Sequence, residues 1–340
     1  MSTLDRRTLL QLAGAAGLAS VLSPAQGAEA DLAAARAEGK AVFYANITAV
    51  KPIMEAFGKD TGVQGEYTRI SSSKFVSTVA TEARAGKLLA DVVQAPLPVL
   101  ELLKANGVLA PYRSPAAADY PEWTRPDDTI QLFGIEYVSY LYNTKQVAAA
   151  DAPKKYEDLA DAKWKGRIVM ADPATHSSTI SWLVGLKEKV FASEGEWTNF
   201  VKALAANQPM FVASFGPTPA PIESGEKAIA ISMPKYIVTK APAPLAWGPR
   251  GGGQPLLGTP RAMALTAKAP HPAAARAFMD YWLSKKAAGM LAKDVGEYVA
   301  APGVYPPVEG MDQVKVLAIR DLGDAEIQKW GAEFKRIFKG

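Results

Sequence analysis

From Lys40 onward, short apolar runs alternate with stretches whose apolar residues recur at helical spacing, and this alternation limits the folds open to the chain. Lys40 to Ala45 (KAVFYA), Val63 to Ile70, Asp91 to Gln94, Arg167 to Ala171, Pro209 to Ala213, Ala228 to Ser232 and Thr259 to Ala267 have the length and content of strands. Between them, Val50, Ile53, Met54 and Phe57 mark a helix closed by Gly62, and Phe75, Val76 and Val79 mark another that ends at Gly86. Further helices are expected over Leu97 to Ala105, Glu194 to Asn207 and Pro272 to Lys286. Such regular alternation specifies an open α/β sheet, in which ligands lie beyond the carboxyl ends of the strands.

Small polar residues gather at those ends. Asn46 follows the first strand, and Ser71, Ser72 and Ser73 precede the second helix. Asp172-Pro173 ends the Arg167 to Ala171 strand, and His176, Ser177, Ser178 and Thr179 stand where the next helix must begin. Ser214, Gly216, Pro217 and Thr218 form a third such loop. A helix N-terminus offers free N–H groups and partial positive charge, so an anion is its natural guest, although serine and threonine also cap helices for structural reasons alone. Within the strand-like run Gln131 to Tyr142, Glu136 and Tyr137 are candidates to face a ligand, while a packed core position is an equal alternative for Tyr137. Burying an unpaired carboxylate is costly, so Glu136 requires a cationic partner. Lys235 and Tyr236, after the Ala228 to Ser232 strand, complete the candidate set.

The first 30 residues are of another kind. Arg6-Arg7 precede an apolar Ala- and Gly-rich run from Leu9 to Leu22 and then small residues suited to cleavage, the pattern of a twin-arginine export signal. The apolar run is shorter than the roughly 20 residues that span a bilayer. About 310 residues remain after it, enough for two lobes. The absence of cysteine excludes disulfides, thiolate metal sites and cysteine nucleophiles, and two histidines leave little general-base chemistry. The formal charge of +4 is spread along the chain without basic clusters, so nucleic acid is not an expected partner. No G-x-S-x-G elbow, metal-binding histidine pair or P-loop is present; WGPRGGG, Trp247 to Gly253, lacks the P-loop ending and is expected to be a mobile loop.

The segments YEDLADAKWKGRI and DPATHSST, with YLYNTKQV upstream and ESGEKAIAIS and HPAAARAFMDYWLSKKA downstream, resemble bacterial extracellular solute-binding proteins of the ferric iron, phosphonate and phosphosugar uptake group. The resemblance implies the two-lobed α/β fold of the type II periplasmic binding proteins, with residues 31–135 and 259–295 in one lobe and 140–255 and 300–340 in the other. It implies that Gln131 to Tyr142 crosses between lobes as hinge and cleft floor. It also implies a periplasmic monomer without a cofactor, a small-molecule ligand, and permease and ATPase subunits as partners, while the Arg6-Arg7 leader implies the twin-arginine machinery as exporter. Ferric-binding relatives carry two adjacent tyrosines where this chain has Lys235-Tyr236, and Asn46-Ile47-Thr48 lacks the histidine that some of them supply. An ammonium beside a ferric ion is repulsive, whereas Lys235 suits a phosphonate, phosphate ester or carboxylate. The expected ligand is therefore a small organic anion. Iron held by Tyr236 and Glu136 is the alternative, and a ligand-presenting sensor or an enzyme on the same fold are the alternatives of another class.

Overall fold

The computed structural model describes residues 31–340 apart from 49, 71, 251–252 and 321. The leader over residues 1–30 and Ser71 lie outside the described residues, as does part of the Trp247 to Gly253 segment. The chain runs through α1 (Leu32–Glu38), β1 (Lys40–Ala45), α2 (Lys51–Thr61), β2 (Gln64–Arg69), α3 (Ser72–Arg84), β3 (Val92–Pro96), α4 (Leu97–Ala105) and β4 (Leu109–Ala110). The long strand β5 (Gln131–Asn143) leads to β6 (Ile168–Ala171), α5 (Ser177–Lys189), α6 (Glu194–Ala206), β7 (Met210–Val212), α7 (Pro219–Glu223), β8 (Ile229–Ser232), α8 (Lys235–Thr239) and β9 (Leu245–Gly248). A second long strand, β10 (Leu256–Thr266), precedes α9 (Pro272–Leu283), α10 (Lys285–Val295), β11 (Tyr298–Val299), β12 (Val316–Ala318) and α11 (Asp324–Lys339).

The strands make one sheet in the order β2-β1-β3-β10-β5-β8-β6-β7, with β4 and β12 added to β10 and β9 and β11 added to β5. Within each lobe the neighbours β1, β2 and β3, and β6, β7 and β8, are parallel, as crossing helices require. Strands β5 and β10 are antiparallel to each other, from Leu257 opposite Val138 to Met263 opposite Gln131. Each is long enough to serve both lobes: β10 pairs with β3 at one end, and β5 pairs with β8 and β9 at the other. Tight packing keeps these strands together. A Cβ on Gly258 would meet the Glu136 carbonyl, so only glycine fits there.

Each lobe has its own core. Phe43, Phe57, Phe278 and Trp282 centre the first, with the Phe43 and Trp282 rings 5.1 Å apart. Trp182, Trp197, Phe200 and Phe334 centre the second, where α11 packs on α5 and α6. Residues expected to form one helix over Pro272 to Lys286 form two. Ser284 is extended (φ −66°, ψ 154°), and its Oγ caps α10 by accepting from the Ala287 N–H at 3.3 Å while donating to the Tyr281 carbonyl at 2.6 Å. Part of the expected Trp247 loop is strand β9, and Arg250 pairs with Glu309 at 2.7 Å.

Candidate functional site

The carboxyl ends of β1, β2, β6, β7 and β8 converge on a cleft of about 250 Å³ between the lobes, lined by Asn46, Ile47, Thr48, Arg69, Glu136, His176, Ser178, Phe215, Met233, Lys235 and Arg261. Local structure explains how each wall is set. After β1, the Ile47 N–H donates to the buried Gln94 side chain at 3.0 Å and the Tyr67 hydroxyl donates to the Ile47 carbonyl at 2.6 Å, which pins Asn46 to Thr48. Arg69 ends β2 opposite Ala45, so it stands beside that loop, and it is exposed. Among the described residues its guanidinium has no ion-pair partner.

On the facing wall, Asp172 opens the turn after β6 by accepting from the Ala174 N–H at 2.9 Å, and His176 caps α5. The Thr179 backbone N–H donates to His176 Nδ1 at 3.3 Å, which places the proton of the neutral ring on Nε2 and leaves that atom as a donor. Burial holds the His176 pKa below its ordinary value, against the opposing pull of the Glu136 charge. The ring meets Phe215 edge-on at 4.7 Å.

The floor is ionic. Arg261 lies opposite Gly134 and Glu136 opposite Thr259, so the two side chains are diagonal neighbours on one face of the β5-β10 pair. Arg261 Nη2 is 2.8 Å from Glu136, and its Nε and Nη2 donate to Glu297 at 3.0 and 3.1 Å. Lys235 also donates to Glu297, at 3.2 Å. Burial alone would raise the Glu297 carboxyl, but the charges of Arg261 and Lys235 outweigh it and hold the group below the usual range. Lys235 reaches Glu297 because Gly296 comes so close to it; a Cβ on Gly296, at φ +73°, would stand 2.8 Å from the Lys235 Cα.

Of the residues predicted from sequence, Asn46, Glu136, His176, Ser178 and Lys235 line the cleft. The ammonium of Lys235, expected to suit an anion, also donates to Glu297. Tyr137 points to the opposite face of β5, as strand alternation demands once Glu136 faces the cleft. It is buried and donates to the Gly296 carbonyl at 3.2 Å; burial, then the charges of Glu297 and Tyr298, keep its hydroxyl well above the ordinary value. Thr179 is buried with its hydroxyl on His176, and Thr218 is buried with its hydroxyl on the Phe215 carbonyl and Ser232. Ser177, Ser214 and Tyr236 are absent from the lining, while α3 begins at Ser72-Ser73. Arg69, Thr48 and Arg261 line the cleft without having been predicted. Arg261 had a signal, since a single charge in the apolar run LLGTPRAMALT raises the same partner question as Glu136.

Burial, followed by the charges of Glu136 and Glu297, pushes the Tyr236 hydroxyl up to about 12, and Glu136 is paired with Arg261. Among the described residues no group of three or more histidine, aspartate or glutamate side chains is placed to hold a metal ion, and no helix is long and apolar enough to cross a membrane.

Comparison with solved structures identifies the fold. The substrate-binding protein of the ABC transporter from Agrobacterium tumefaciens is similar at 14% identity and TM-score 0.72, over 90% of this chain and 97% of that one. Iron-bound HitA from Pseudomonas aeruginosa is similar at 18% identity and TM-score 0.67, over 88% and 99%. AfuA from Actinobacillus pleuropneumoniae, with fructose-6-phosphate bound, is similar at 20% identity and TM-score 0.65, over 88% and 96%. Comparison with curated proteins gives no match. Residues 52–318 match the family described as bacterial extracellular solute-binding protein, and with its two lobes and lined cleft the chain belongs to that family.

Proposed function

We propose that this chain is the substrate-binding protein of an ABC importer and that it captures a small organic anion in the cleft without turning it over. The observation that carries the reading is Arg69, an exposed cleft arginine with no ion-pair partner among the described residues, while the other two cations of the cleft are balanced by Glu136 and Glu297. Arg69 and the α5 N-terminus with Ser178 belong to different lobes, so an anion held by both stabilises the closed arrangement more than the open one. A cleft of about 250 Å³ is below the roughly 300 to 1,000 Å³ of pockets for drug-sized ligands and suits a phosphonate, phosphate ester or carboxylate of few heavy atoms.

In this reading the lobes comprise residues 31–135 with 259–295 and residues 140–255 with 300–340. The leader is removed by the twin-arginine route, and the mature protein is a periplasmic monomer that delivers ligand to permease and ATPase subunits. The test is a thermal-shift screen of phosphonates, phosphate esters, carboxylates and ferric iron, since bound ligand raises the melting temperature by mass action. At least one organic anion raises it, and Arg69→Ala abolishes most of that rise while the unliganded melting temperature is preserved. A response to ferric iron alone would overturn the reading.

A further inference from the structure

We propose that Glu136 makes the cleft selective for anions that also carry a hydroxyl group, with the anionic end toward Arg69 and the hydroxyl donating to the Glu136 carboxylate; this rests on the anion reading above. The two carboxylates of the floor are satisfied to different degrees. Glu297 is 2% exposed and accepts three hydrogen bonds, two from Arg261 and one from Lys235. Glu136 is 26% exposed, its closest approach to Arg261 is through Oε2, and it accepts none of the hydrogen bonds that saturate Glu297. An ionised carboxylate oxygen can only accept. A bare anion placed against it is repelled, whereas a hydroxyl forms a charge-assisted bond.

Charge balance fixes the rest of the ligand. Lys235 and Arg261 cancel Glu136 and Glu297, so Arg69 leaves the lining, taken together with Glu297 behind it, one positive charge in excess. One anionic group neutralises it. An ammonium at Glu136 would sit beside the Arg261 guanidinium that already holds the same carboxylate at 2.8 Å, and the like charges repel. A hydroxyl adds no charge and meets the same oxygen. Discrimination of this kind arises when a site is built around a polar partner, because the analogue without the hydroxyl removes water from a carboxylate oxygen without replacing its hydrogen bond.

The experiment is calorimetric titration with matched probes: lactate against propionate, glycerol 3-phosphate against propyl phosphate, and 3-aminopropionate as the ammonium-bearing counterpart. In the wild type the hydroxyl member of at least one pair binds about tenfold tighter or more, as expected for a hydrogen bond to a charged group. Glu136→Gln reduces that ratio to below about threefold. Arg69→Ala weakens both members alike and keeps the ratio. The wild-type ratios need no variant, and Glu136→Asp, which keeps the charge and shortens its reach, gives an intermediate ratio. Equal binding within both pairs, a ratio that survives Glu136→Gln, or tighter binding of 3-aminopropionate than of lactate overturns the selectivity while leaving the anion site standing. Binding of none of the probes overturns the anion reading and the selectivity together.

Discussion

Glu297 shows how much one carboxylate can hold together. It accepts from a strand residue, Arg261, and a helix residue, Lys235, and removing its charge leaves one buried and one partly buried cation with one partly exposed counter-charge between them. Breaking a buried pair from one side costs about 3 to 5 kcal/mol. Glu297→Gln should lose about that much in urea denaturation at neutral pH. Because the folded pKa is depressed, the contribution of the pair is complete above the ordinary value of 4.5 and is lost as pH falls through the lower folded value. The gap between wild type and variant should therefore narrow in acid; a constant gap from pH 7 to pH 3.5 would refute this account. His176 has the opposite chemistry. Its folded pKa lies below the ordinary 6.5, so the unfolded chain binds the proton more tightly and folding weakens as pH falls from about 6.5. His176→Asn, which retains a capping side chain, should flatten the melting-temperature profile in that window, whereas His176→Ala should lose about 1 kcal/mol as well.

At the scale of elements, two small features set the geometry. Gly296 ends α10 with φ +73° and lets its backbone touch α8 at Lys235. Gly296→Ala faces both a left-handed backbone, costing about 1 to 2 kcal/mol, and a backbone clash. It should lower the urea midpoint measurably and loosen the Lys235 to Glu297 contact. Ser284→Ala removes the cap that starts α10 and should cost about 1 kcal/mol by the same measurement. These elements also mark the limit of what sequence conveys. Strand and helix positions follow from apolar spacing, which is a local property, so β1 to β3 and α5 were readable in KAVFYA, the serine loops and DPATHSST. The break at Ser284 was not, because HPAAARAFMDYWLSKKAAGM keeps its helical spacing through a residue that is extended only in the fold. Likewise, Glu136 announces the need for a cation, but Arg261 becomes its neighbour only through the register of β5 on β10. Arg69 sits in a strand of mixed polarity, where nothing distinguishes it from a solvated edge residue until β2 is laid beside β1.

For the whole molecule, the antiparallel pair β5-β10 serves both lobes and also carries Glu136 and Arg261. In any rigid rotation of one lobe against the other, a residue is displaced in proportion to its distance from the axis. If the proposed closure turns about the shared strands, side chains on them have almost no lever arm, while Arg69 at the end of β2 and Ser178 at the start of α5 have long ones. In the proposed binding mode the two ends of a bound anion thus meet different kinds of surface. One rests on a stationary charge pattern present before the ligand arrives, and the other is grasped by groups that must travel. Recognition at the stationary end should be encoded in the arrival of the ligand, and grip at the travelling end in how long it stays.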